Sequence, residues 1–108
     1  DFGIRTLAKN EPMYSTTEMI NPSNWQGPIW IVSTYLVFKG ALNYGYTAEA
    51  QRIAENLLDL LANDIRKNGV LHEYYNPETG ESTMSPGFMN WNALADVMLP
   101  ELEKEMNK

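Results

Sequence analysis

The chain reads as all-α, on three observations. Residues 29–42 are apolar on every side of a helical wheel, and residues 47–68 carry apolar side chains at helical spacing. A third apolar stretch opens near residue 90 and runs into a charged end. Three helices are therefore expected, with an irregular segment before the first and a long loop before the last. With 108 residues there is room for one domain, or for part of a larger one.

Residues 1–27 are punctuated by Asn10-Glu11-Pro12, Asn21-Pro22-Ser23 and Gln26-Gly27-Pro28, which predict turns rather than an element. Pro28 suits the first position of a helix, where its missing N–H is no loss. That helix is predicted to run to about Asn43, with Gly45 as its stop. Ile29, Trp30, Ile31, Val32, Tyr35, Leu36, Val37, Phe38, Ala41 and Leu42 leave it no polar face, and a helix apolar all round must be enclosed on all sides. Two further helices can hardly enclose it.

Thr47 is the expected N-cap of the second helix, with Glu49 in its first turn. Ala50, Ile53, Ala54, Leu57, Leu58, Leu61 and Ile65 form its apolar face, and Arg52, Glu55, Asp59 and Arg66 lie elsewhere. Arg66 and Lys67 suit the C-terminal dipole, and Asn68-Gly69 ends the helix. Val70 to Pro86 is read as a loop, with a short extended piece at Val70 to Tyr74 and a turn at Asn76-Pro77-Glu78-Thr79-Gly80. The third helix is predicted from near Asn90, carrying Trp91, Leu94, Ala95, Val97 and Met98. Pro100 should interrupt it, and the charged stretch Glu101 to Lys108 should fray.

Composition excludes several function classes. A hydrophobic content of 44% with three Trp rules out a disordered chain. The net charge is −6 and the eight Lys and Arg are scattered, which argues against nucleic acid and against a membrane surface. There is no Cys for a disulfide or thiolate site, and no cofactor or metal motif is present. With no signal peptide either, a cytoplasmic location is expected. The chain starts at Asp1, and between Met13 and Ala48 its only charged residues are Glu18 and Lys39. So neutral a stretch suits the interior of something larger.

Chemistry concentrates in two places. Asn21 to Trp30 sets two indoles beside side-chain amides, the equipment for covering the C–H face of a sugar ring while bonding its hydroxyls. Ordinary packing uses the same residues, so a lined pocket and plain core both remain open. Leu71-His72-Glu73-Tyr74-Tyr75-Asn76-Pro77 holds a carboxylate among aromatic groups before a tight turn. Glu73 is either a general base oriented by its neighbours or a solvated loop residue. His72 reads as a packed or solvated side chain, Glu78 and Glu81 as solvated charges. Ser85 to Trp91 reads as a turn before an aromatic helix start, or as a hydrophobic staple. No Ser-His-Asp set, P-loop or dinucleotide fingerprint appears.

Taken in order, Asn24 to Trp30, then Gly40 with Tyr44-Gly45-Tyr46 and Ala48-Glu49-Ala50, then His72 to Gly80, then Gly87-Phe88 and Trp91, resemble the C-terminal part of family 63 glycoside hydrolases. That family includes α-glucosidases and hydrolases of mannosylglycerate and glucosylglycerate. The resemblance covers roughly residues 2–100. It implies a partial (α/α)6 toroid, in which inner helices are ringed by outer ones, and inverting hydrolysis of an α-glucoside or α-mannoside. Glu73 matches the family's general base. Trp25, Gln26, Gly27 and Trp30 match the segment lining the sugar subsite, Tyr75 of the base segment is expected among the sugar-binding residues, and Phe88 and Trp91 match the segment closing the pocket. No segment matches the family's general acid: Asp1, Asp59, Asp64 and Asp96 stand in the wrong contexts. The chain is thus expected to need the remainder of the barrel as a partner, to be inactive alone, and to self-associate when isolated. The competing readings are a helical adaptor of the tetratricopeptide type, for which the repeat of about 34 residues is missing, and a carbohydrate-binding module.

Overall fold

A computed structural model describes residues 2–16, 24–83, 86–87 and 91–107, with Trp91 described for its backbone only. Its elements are β1 (Ile29–Trp30), α1 (Ile31–Asn43), α2 (Thr47–Asn68), β2 (Tyr74–Tyr75), a 3₁₀ turn (Trp91–Leu94) and α3 (Ala95–Met106). Three helices and one very small antiparallel ladder make up the all-α architecture expected of a section of an (α/α)6 toroid. Among the described residues, no helix is long and apolar enough to cross a membrane.

The first helix begins later than Pro28 predicts. Ile29 pairs with Tyr75 and Trp30 with Tyr74, which holds Trp30 extended at φ −112°, ψ 138°. Thr34 Oγ1 and Ser33 Oγ then donate to the Trp30 carbonyl at 2.8 and 3.1 Å, satisfying an acceptor at the strand-to-helix corner. The far end closes as the sequence predicts. Gly45 takes φ +80°, its N–H donates to the Leu42 carbonyl, and the Tyr46 N–H reaches back to Ala41 at 2.8 Å. This paired arrangement satisfies the last carbonyls of α1 and reverses the chain within three residues.

α2 starts on Thr47 itself, so the N-cap is Tyr46 and carries no side-chain cap. Thr47 as N-cap is corrected accordingly: Tyr46 is already held by the closing bonds of α1, which sets the entry of α2 one residue earlier. At the other end Gly69 adopts φ +79° and donates to the Ile65 carbonyl at 2.9 Å, ending the helix where Asn68-Gly69 predicts.

The core gathers Ile31, Phe38 and Leu42 of α1, Ala50, Ala54, Leu57, Leu60 and Leu61 of α2, and Ala95, Met98 and Leu102 of α3, with Ile29 and Tyr75 from the ladder. Burying a side chain such as Phe38 stabilises the fold by about 1.5–3 kcal/mol. One side of α1 is covered in this way. The other is not: Leu36 is 65% and Val37 45% exposed.

α3 departs from expectation at its end. It runs through Pro100 to Met106 instead of breaking and fraying. Leu102 is buried, and Glu101 accepts Tyr35 Oη and Lys39 Nζ, each at 2.6 Å. Anchors on both sides of the turn after Pro100 hold the helix against α1. The irregular residues 2–16 lie along Gln26–Pro28: Ser15 N–H donates to the Gln26 carbonyl at 2.8 Å, and Thr6 Oγ1 donates to that of Pro28 at 2.8 Å.

Candidate active site

Two constructions share the β1–β2 ladder. The first is an aromatic stack. Trp25 lies on Trp30 with ring centroids 3.6 Å apart and planes 18° apart, and Trp30 lies on Tyr74 at 4.8 Å and 19°. Trp30 and Tyr74 are buried, whereas Trp25 is 44% exposed. The stack therefore ends in an indole that meets solvent, on a base too well packed to tilt. Trp30 Nε1–H donates to the Asn24 carbonyl at 2.7 Å, so the polar handle of the inner indole is used within the fold. Asn24 is buried and works as a staple: its Nδ2 donates to the Ser15 carbonyl at 3.0 Å and its Oδ1 accepts the Gln26 N–H at 2.9 Å.

The second construction is a buried polar network. Successive strand residues point to opposite faces, so Tyr74 joins the stack while Tyr75 turns into the core. Tyr75 Oη donates to Asp64 Oδ2 at 2.7 Å and accepts the His72 N–H at 3.1 Å. His72 Nδ1 lies 2.8 Å from the same Asp64 oxygen, and Asn68 Nδ2 donates to Asp64 Oδ1 at 2.7 Å. An ionised carboxylate only accepts, which puts the His72 ring proton on Nδ1. Asn92 Nδ2, from the 3₁₀ turn, donates to the His72 carbonyl at 2.8 Å.

The electrostatics follow from this packing. Burial pushes the Asp64 carboxyl up, but the donors Tyr75, Asn68 and His72 together outweigh it and hold the group below its usual range. Burial, then the bond to Asp64, pushes the Tyr75 hydroxyl well above the ordinary phenol range. Both groups are locked in single protonation states at neutral pH.

Glu73 stands between the two constructions. It is half-buried, directly before Tyr74, and its backbone neighbours are pinned. His72 is held at N–H and carbonyl, and the Tyr74 carbonyl accepts both the N–H and Oγ1 of Thr83, at 3.1 and 3.0 Å. In the chain, Glu73 directly precedes Tyr74, the inner ring of the stack. Gln26 is half-buried beside Trp25.

The other predicted site residues have structural positions. Tyr75 is fully enclosed, with its hydroxyl spent on Asp64. Trp30 is the interior layer of the stack. Gly27, at φ +152°, lies where an added Cβ would meet the Ser15 carbonyl oxygen and the Tyr14 ring at 2.8 Å, so it serves a close backbone approach. Phe88 lies outside the described residues, as does the side chain of Trp91. Asp64 is the functional-looking residue that sequence reasoning missed. It is only 4% exposed, while Ile65, expected on the apolar face, is 52% exposed. The signal was positional: Asp64 follows Leu57 by seven residues and Leu61 by three, on the buried stripe. Among the described residues, no group of three His, Cys, Asp or Glu could hold a metal ion.

Against known proteins, the model of the Mannosylglycerate hydrolase MGH1-like glycoside hydrolase domain matches residues 1–91. The chain belongs to this glycoside hydrolase family. Relatives agree with the family 63 resemblance. Mannosylglycerate hydrolase MGH1 of Selaginella moellendorffii is 30% identical over 92 residues, covering 85% of this chain and 17% of the relative. A probable mannosyl-oligosaccharide glucosidase of Schizosaccharomyces pombe is 31% identical, covering 93% of this chain and 13% of the relative. The mannosylglycerate hydrolase of Thermus thermophilus is 36% identical over 69 residues, covering 64% of the chain and 15% of the relative. The chain therefore spans about a sixth of the length of the curated relatives it matches.

Proposed function

We propose that this chain is the C-terminal portion of the catalytic domain of an inverting α-glycosidase, supplying the general base and one wall of the sugar subsite. The observation that carries the reading is the placement of Glu73: a half-buried carboxylate on a pinned backbone, one residue from a stack whose outer indole is open. A pyranose laid on Trp25 would place its C–H face on the ring, with Gln26 beside it for a hydroxyl. Glu73 would take a proton from a water attacking the anomeric carbon on the face opposite the leaving group. In inverting hydrolysis the second carboxyl, which protonates the leaving oxygen, sits roughly 6.5–9.5 Å away to leave room for that water. Asp64 is unsuited to that role, being buried and held ionised by three donors. The acid is assigned to a part of the barrel outside this segment, and the segment alone is inactive. The substrate is an α-linked glucoside or mannoside, in keeping with the relatives' names.

The test uses the full-length polypeptide carrying this segment, assayed on α-mannosides and α-glucosides with the product anomer followed by NMR. Glu73→Gln is expected to lower kcat by about 10²-fold or more with sugar affinity kept, and Trp25→Ala to raise KM more than it lowers kcat. Unchanged turnover in Glu73→Gln, or a retained anomer, overturns the reading. The open face of Trp25 also suits a non-catalytic sugar-binding module. Sugar binding by the 108-residue chain, lost in Trp25→Ala and unaccompanied by hydrolysis in the full-length protein, would favour that reading.

A further inference from the structure

We propose that Asp64 and Tyr75 are positioning residues for Glu73, joining the base-bearing loop to α2 through a buried hydrogen-bond relay. The inference rests on the reading of Glu73 as base and goes beyond it, since neither residue reaches the open side of the stack. The loop over residues 70–73 has no ladder bonds of its own; β2 begins only at Tyr74. Its backbone must be fixed by other means if a carboxylate there is to meet a water in one geometry. The relay provides them. Asp64 is on α2, within the core, and takes Tyr75 Oη at 2.7 Å and His72 Nδ1 at 2.8 Å on a single oxygen. Tyr75 Oη in turn accepts the N–H of His72 at 3.1 Å. One carboxylate thus fixes the side chain of the residue before Glu73 directly, and its peptide plane through a phenol. Asn68 holds the second Asp64 oxygen at 2.7 Å, so the carboxylate cannot rotate to serve the loop less well.

A carboxylate oriented in this way and one merely present differ in rate, because a displacement of about 1 Å can cost on the order of 10²-fold. Removing the Tyr75 hydroxyl leaves every ring contact and the Asp64–His72 bond in place, so the fold has support while the His72 N–H loses its acceptor.

The experiment compares Tyr75→Phe, Asp64→Asn and Glu73→Gln, singly and with Tyr75→Phe combined with Glu73→Gln, in the full-length polypeptide on an α-mannoside or α-glucoside. In Tyr75→Phe and Asp64→Asn, kcat is expected to fall about tenfold or more with KM within about twofold, in protein melting as a single folded species. Tyr75→Phe added to Glu73→Gln should cost nothing further, because a base already removed cannot be misplaced. Wild-type kcat in folded Tyr75→Phe and Asp64→Asn, or a double variant in which the losses multiply, overturns the positioning role and leaves Glu73 as base. Wild-type turnover in Glu73→Gln removes the base reading, and this inference with it.

Discussion

At the scale of single residues, the Asp64 carboxylate sets how the fold answers to acid. Its folded pKa is lowered from an ordinary 3.8 because Tyr75, Asn68 and His72 outweigh the cost of burial. A group with a depressed folded pKa contributes stability in full above its unfolded value and loses it as pH falls through the folded one. Asp64 thus stabilises the native state at neutral pH, and the contribution fades below about pH 4, near the unfolded value. Urea unfolding of wild type and Asp64→Asn should show the largest gap at pH 6–7 and a shrinking one toward pH 3. A gap constant across that range would contradict this balance. Gly27 belongs to the same scale: its importance is a matter of space, with the Ser15 carbonyl and Tyr14 ring filling the volume a side chain would need.

At the scale of elements, α3 contains a proline and survives it. Pro100 offers no N–H to the carbonyl of Asp96 and crowds it, a defect of up to about 3 kcal/mol in a helix interior. Burial of Leu102 and the Glu101 bonds to Lys39 and Tyr35 offset it. Pro100→Ala should raise the urea midpoint, by about 1–3 kcal/mol in unfolding free energy, with no change in helix bounds. A midpoint unmoved or lowered would show that the turn is already relaxed around the ring.

Helices were the legible part of this chain. α2 could be read from its stripe, its terminal glycine and its basic last turn, because those signals are local. The ladder could not. Two-residue strands carry no alternation to detect, and Ile29–Trp30 pairs with a segment on the far side of two helices. Glu73, Trp25 and Gln26 stood out by type and spacing. Asp64 and Asn92 did not, because their hydrogen bonds are made across the fold, and only an acid on an apolar stripe hinted at the first.

At the scale of the whole molecule, the distribution of apolar surface is lopsided. α1 exposes Leu36 and Val37, its turn exposes Tyr44 and Tyr46, and α3 exposes Val97 and Leu99. Exposed apolar side chains in this number suit a contact site, and the neighbours proposed for them are further helices of the same catalytic domain. The isolated chain should bind a hydrophobic dye and self-associate with concentration in size-exclusion runs. Leu36→Lys with Val37→Glu should suppress both. A monomeric, dye-negative species at high concentration would show that the face needs no cover.

The ladder between β1 and β2 also closes the longest loop of the strand pairing, from Ile29 to Tyr75. α1 and α2 can meet across a short turn, a local event, whereas Ile29 and Tyr75 are brought together only once that hairpin has shortened the path between them. Trp30, Tyr74 and the carboxylate beside them sit at the mouth of this closed loop. The closing of this loop is thus expected to follow the pairing of the two helices, and the rings of the stack to be set in place with it.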